Sequence, residues 1–262
     1  MPLSPPRNRA KMSRHKMAVW ALRIGTPVAL LGVWLYSNGP GGVSPLILPD
    51  LGGVLLTFGQ LVASAGFWEA IGLTVLEIGA AFVIGAGLGV LIGFWGARRE
   101  LRTKSIEPLS VWGYMAPLIL FYPLFVLWFD IGVASKISFG ALNTFFPVVY
   151  GALRSFRSVD DRYLRVARAF GASSPQTDVL IKLPAALPML ASSLRIGVAM
   201  SVITVILSEM LASTGGLGYL LAISSSTFNM QNVFAIIVAI LLLVGVIQAG
   251  MSRLLSFDRS DQ

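Results

Sequence analysis

The chain has 262 residues, 55% of them hydrophobic and only 12% charged, where an ordinary soluble domain carries about 25% charge. A water-soluble fold of this length could enclose a full core but could not clothe its outside with so few charges, so lipid is the expected solvent. With no cysteine and His15 as the only histidine, disulfides, thiol catalysis, His-containing metal clusters and Ser/His/Asp triads are excluded. No G-x-x-x-x-G-K-[ST] run occurs, so no nucleotide site or other cofactor is expected in this chain, and any ATP must be held by a partner.

A helix crosses a bilayer with about 20 mainly apolar residues, and six runs qualify. A basic arm, residues 1–16, carries Arg7, Arg9, Lys11, Arg14 and Lys16. It precedes the first run, 17–36, which is longer than a signal-peptide core and lacks a small-x-small end, and so reads as a retained anchor. Residues 51–66 are apolar but short and predict an interfacial helix. The second run, 68–96, places Ala81, Gly85, Gly89 and Gly93 on one face, a spacing that lets helix backbones approach closely; packing within the chain is preferred over a subunit interface. The third, 108–129, contains Pro117 and Pro123, which oppose a straight helix. The fourth, 137–153, is short and interrupted by Pro147. The fifth and sixth cover 190–212 and 232–254, with a second interfacial helix expected in 216–230.

The net charge of +8 would suggest nucleic acid in a soluble protein, but here Lys and Arg collect in alternate gaps. Four lie in 97–107 and six between 154 and 182, against none in 37–66, one (Lys136) in 130–136 and none in 213–231. This is the positive-inside pattern and implies cytoplasmic termini, with 257–262 a cytoplasmic tail. Inside the runs, Glu77 and Glu209 are costly in hydrocarbon and must face protein or water. A place on a translocation path and structural pairing are both open for them. Arg23 and Arg195 lie near cytoplasmic ends and can snorkel.

The cytoplasmic segment 154–188 is the most informative. Asp160 or Asp161 can cap a helix with Tyr163, Leu164, Val166, Ala167 and Phe170 on its apolar face, and Gly171 can end it in a left-handed turn. A second short helix, 175–183, is expected to stop at Pro184. Gly171, nine residues, then Ile181-Lys182-Leu183-Pro184 resembles the cytoplasmic loop of binding-protein-dependent ABC importer permeases, whose pattern is E-A-A, three residues, Gly, nine residues, I-x-L-P. Arg165-Val166-Ala167 stands where that family has E-A-A. The stretches 123–132, 183–188 and 208–210 with 216–218 are similar to the nitrate, sulfonate and taurine branch. The resemblance implies an all-α polytopic fold of about six spans, like a type I ABC importer permease, occupying 17–256. It implies docking on ABC ATPases through Arg165, Val166, Ala167, Phe170, Gly171, Ile181, Leu183 and Pro184, with ATP and Mg bound by those ATPases. A second permease copy and an extracytoplasmic solute-binding protein complete the assembly in the bacterial cytoplasmic membrane. A small anionic solute is the expected cargo; vitamin or pyrimidine precursors are the alternative. An ion-coupled transporter would need inverted repeats and midplane coupling residues, and an embedded enzyme would need clustered reactive groups; neither is found.

Overall fold

Small residues decide the centre of the molecule. In the computed structural model, which describes residues 8–37, 42–44 and 47–255, the second run becomes α3, Ala65–Ala97. Its Gly85, Gly89 and Gly93 lie against Ala141, Val148 and Ala152 of α6, Val133–Arg157. A Cβ built on Gly89 would stand 2.9 Å from the Val148 Cβ, closer than two carbons sit without repulsion. The stripe therefore packs within the chain. On its other side α6 meets α9, Leu183–Leu211, where Gly197 faces Val148 and Gly140 faces Val205. α9 also meets α3 directly, with Ser201 donating to the Ile78 carbonyl at 2.9 Å, the kind of polar link that joins helices in lipid.

Sandwiched in this way, α6 is a central helix. That explains its sequence, since Ser135, Lys136, Thr144 and Ser155 are all buried in protein and none has to meet lipid. It also corrects the expectation of a short fourth span. α6 has 25 residues, enough for about 37 Å at 1.5 Å each, and it continues unbroken past Pro147. Lys136, expected in a turn, belongs to the first turn of this helix.

The third run is not one continuous helix. It divides into α4, Glu100–Met115, and a bent partner formed by the 3-10 turn Leu118–Phe121 and α5, Tyr122–Phe129. The pieces meet at 81°. The cause is local: Ala116, held extended at ψ 139° because a residue before proline is pushed out of the helical region, precedes Pro117. Pro123 then sits in the first turn of α5, where a missing N–H costs nothing.

The remaining long helices are α1, Asn8–Ser37, and α11, Met230–Leu254. α1 begins inside the expected basic arm. Where its side chains are described it exposes Leu22, Val28, Val33 and Leu35, as a lipid-facing helix does. Trp34, near its end, donates to the Pro49 carbonyl at 2.9 Å and packs on Phe234 of α11. Both expected short helices form: α2, Leu51–Ala63, capped by Asp50, and α10, Leu217–Ser226. By length and composition α3, Ser174–Leu211 and α11 qualify as spans, and the bent pair qualifies if taken as one. The tail 257–262 and residues 1–7 lie outside the described residues.

Candidate functional site

At the basic end, the loop after α6 folds as two helical pieces. α7, Asp161–Ala169, opens on Asp160, whose carboxylate accepts from the Arg162 N–H at 2.8 Å. It closes on Gly171 at φ +78°, with Gly171 N–H bonded to the Arg168 carbonyl and Ala172 N–H to that of Ala167. These are the paired bonds of a glycine-terminated helix, a conformation that penalises any residue with a β-carbon. Of the expected apolar face, Ala167 is buried, whereas Tyr163, Val166 and Phe170 are exposed, Phe170 to 86%. Arg165 is exposed beside them.

The second piece starts with a reciprocal Ser173–Gln176 cap at α8, Ser174–Thr177. The expected stop at Pro184 does not occur. One widened turn, Asp178–Lys182, has π-helical bonding, with Leu183 N–H reaching back to the Asp178 carbonyl. The chain then continues into α9 with Pro184 in its first turn. The wider turn shifts the bonding register just where proline has no N–H to offer, so the helix passes through without a break. Ile181 is half-buried, and Leu183 packs on the cluster of Ala152, Phe156, Ala186 and Leu190. Sequence reasoning missed Val179 and Leu180, large apolar residues exposed on the turn that packs beside α7. The loop is tied to the end of α3 by an Arg98–Asp178 ion pair of 2.9 Å.

At the opposite end the two acids come together. Glu77 of α3 and Glu209 of α9 are 0% and 1% exposed. Between them is a residue that the sequence reading had placed in a loop: Lys136, 2% exposed, is ion-paired to Glu77. Opposite charge holds the ammonium against this carboxylate. The ammonium donates to Ser213 Oγ, at 2.9 Å. Glu209 is fully engaged, accepting from Thr74 Oγ1 and from the Gly218 N–H, both at 2.7 Å. The sequence did hold a clue to Lys136. Two acids in apolar runs require a cation at similar depth, and Lys136 borders the fourth run at the matching end.

Comparison with known proteins agrees with this architecture. Residues 88–258 match the family described as binding-protein-dependent transport system inner membrane component. A putative aliphatic sulfonates transport permease protein of Bacillus subtilis (strain 168) is 29% identical over 247 residues, 94% of this chain and 89% of that protein. The taurine transport system permease protein of Escherichia coli (strain K12) is 32% identical over 242 residues, 89% of this chain and 86% of its own length. A formylaminopyrimidine transport permease protein of Halalkalibacterium halodurans is 33% identical over 176 residues, 67% of this chain and 69% of that one. In fold, the chain is similar to a subunit in an inward-facing structure of the MetNI methionine ABC transporter, with TM-score 0.60, 20% identity, and coverage of 76% of this chain and 96% of that one. Helices centred on α3, α6 and α9, a capped two-helix loop at the basic end and a profile match over most of the length lead to one conclusion: the chain belongs to the family of binding-protein-dependent transport system inner membrane components and is a membrane-spanning permease subunit of an ABC importer.

Proposed function

We propose that this permease imports a small sulfonate- or taurine-like anion, one copy pairing with a second and each seating its loop on an ABC ATPase. The observation that carries the docking half is the apolar surface of Tyr163, Val166, Phe170, Val179 and Leu180, which lies in a loop rich in basic residues rather than in a span. In water, three exposed large apolar side chains on one nine-residue helix and its C-cap are a standing cost, and burial in a partner groove is worth about 1.5–3 kcal/mol for a side chain such as Phe. ATP and Mg belong to that partner, and solute arrives from an extracytoplasmic binding protein. Both termini are cytoplasmic in this reading, because the basic gaps face that side.

The sulfonate assignment draws on the names of the relatives. The formylaminopyrimidine permease, similar over two thirds of this chain, supports a second reading with a pyrimidine or vitamin precursor as cargo. Uptake of labelled taurine, ethanesulfonate and formylaminopyrimidine, measured in cells of the source organism with and without this chain, separates the two. Uptake of the pyrimidine alone would overturn the sulfonate reading. Absence of any ATPase in the purified complex would overturn the docking reading.

A further inference from the structure

Buried Glu209 grips one stretch of backbone at the end of the spans away from the docking loop, and neither docking nor family membership gives it that task. Residues 212–216 join the outer end of α9 to α10, which opens on Leu217 and Gly218. Tyr122 of α5 donates its hydroxyl to the Ala212 carbonyl at 3.2 Å. Lys136 of α6 donates to Ser213 Oγ, and that hydroxyl donates to the Gly215 carbonyl at 2.7 Å. Thr74 Oγ1 of α3 accepts from the Leu217 N–H at 2.9 Å and donates to Glu209 Oε1 at 2.7 Å. Glu209 Oε2 accepts the Gly218 N–H at 2.7 Å. Gly216, at φ +100°, lies so near this carboxylate that a Cβ there would collide with it. Four helices thus hold one turn, through side chains that are all buried or nearly so.

A connection that only reversed the chain could leave its backbone to water, as surface loops do. This one is satisfied from inside, by a carboxylate, the strongest acceptor a side chain offers. The residue type is also dictated. Both oxygens of Glu209 face a donor already fixed in place, and an amide would present an NH2 group to one of them.

We propose that Glu209, acting through Thr74, is the positioning residue that locks residues 212–216 and α10 to α3 and α9, so that the outer surface of the importer moves as one body with its spans. The transport readout of this inference rests on the importer reading; the distance readout does not.

The test uses the absence of native cysteines. Ala65→Cys at the start of α3 and Ser225→Cys on α10, both exposed positions, carry spin labels in the full complex in nanodiscs. Pulsed EPR then gives the distance distribution between them, while uptake and unstimulated ATP hydrolysis are measured in parallel. Thr74→Val keeps the shape and removes both bonds of the relay; Thr74→Ser keeps the hydroxyl. The unmodified and Thr74→Ser chains should give one narrow distance. Thr74→Val should broaden it and lower uptake about tenfold, within the range typical of coupling between sites, with unstimulated hydrolysis unchanged. Glu209→Gln, nearly isosteric, should do the same and replaces Thr74→Val if that chain fails to insert. A narrow distance in both Thr74→Val and Glu209→Gln would overturn the proposal, as would a Thr74→Ser chain as defective as Thr74→Val. Loss of uptake in every chain, the unmodified one included, would count against the importer reading, while the distances would still decide whether the lock exists.

Discussion

At the scale of the residue, Lys136 and Glu77 lead to the sharpest expectation. Removing one partner of a buried pair leaves a lone charge and costs about 3–5 kcal/mol, whereas replacing both with neutral groups of similar size is often tolerated. Glu77→Gln and Lys136→Met should each lower yield and thermal stability in detergent, and the double variant should recover most of the loss. A double variant as unstable as the worse single one would show that the pair acts through more than its charges. Phe170→Ala is the opposite case, since a side chain 86% exposed supports little of this chain's own fold. Stability should be unchanged, while ATPase association, measured by co-purification or titration, weakens about 10- to 100-fold, the worth of one buried aromatic. Gly171→Asp strains a left-handed turn by about 1 kcal/mol. It should abolish uptake with the spans still inserted, because the space around Gly171 is open within this chain and the added bulk meets the partner instead. Much at this scale was legible in the sequence: the Asp160 cap, the Gly171 turn and the cost of Glu77 and Glu209 all follow from residue type and spacing. Lys136 was misplaced because periodicity marks where apolar residues stop, and a helix buried among other helices need not be apolar at its ends.

Among the elements, α3 and α6 show how a glycine acts by position. Gly89→Leu must push against the Val148 side chain and the Phe145 carbonyl, and overpacking of that kind costs about 1–3 kcal/mol or more. Gly87 has open space around it, so Gly87→Ala should be neutral or raise stability by up to about 1 kcal/mol through helix propensity. Thermal unfolding of the two variants in one detergent separates packing from propensity, and equal effects would refute the assignment of the stripe to α6. The stripe could be seen in the sequence, as could the two short helices α2 and α10. Two proline effects could not. Pro117 gives a sharp bend while Pro147 and Pro184 leave their helices whole, and the difference lies in the surroundings: an extended Ala116 ahead of Pro117, a helix enclosed by α3 and α9 around Pro147, and a π turn before Pro184. Sequence shows where an N–H is missing, whereas the neighbours decide whether the chain turns there.

For the whole molecule, the Arg98–Asp178 pair places the α3–α4 corner and the docking loop at one end, and the turn held by Glu209 places α10 at the other. Reporter fusions after Arg165 and after Ala222 should therefore fall on opposite sides of the membrane, the first in the cytoplasm by the positive-inside rule. An external score at Arg165 would contradict the docking surface. The central position of α6 also bears on how the protein is made. α6 is not among the helices apolar enough to cross a membrane by composition, and it carries Ser135 and Lys136 in its first turn together with Asn143 and Thr144 further along. When it leaves the ribosome, the bilayer alone is a poor host for it. α3, synthesised earlier, already offers a glycine groove and the Glu77 carboxylate to match Val148, Ala152 and Lys136, so the entry of α6 depends on a protein surface rather than on lipid. A chain that stalls after α5 and one that lacks α3 thus differ in kind: the first still holds the receptor for its next helix, and the second has lost it.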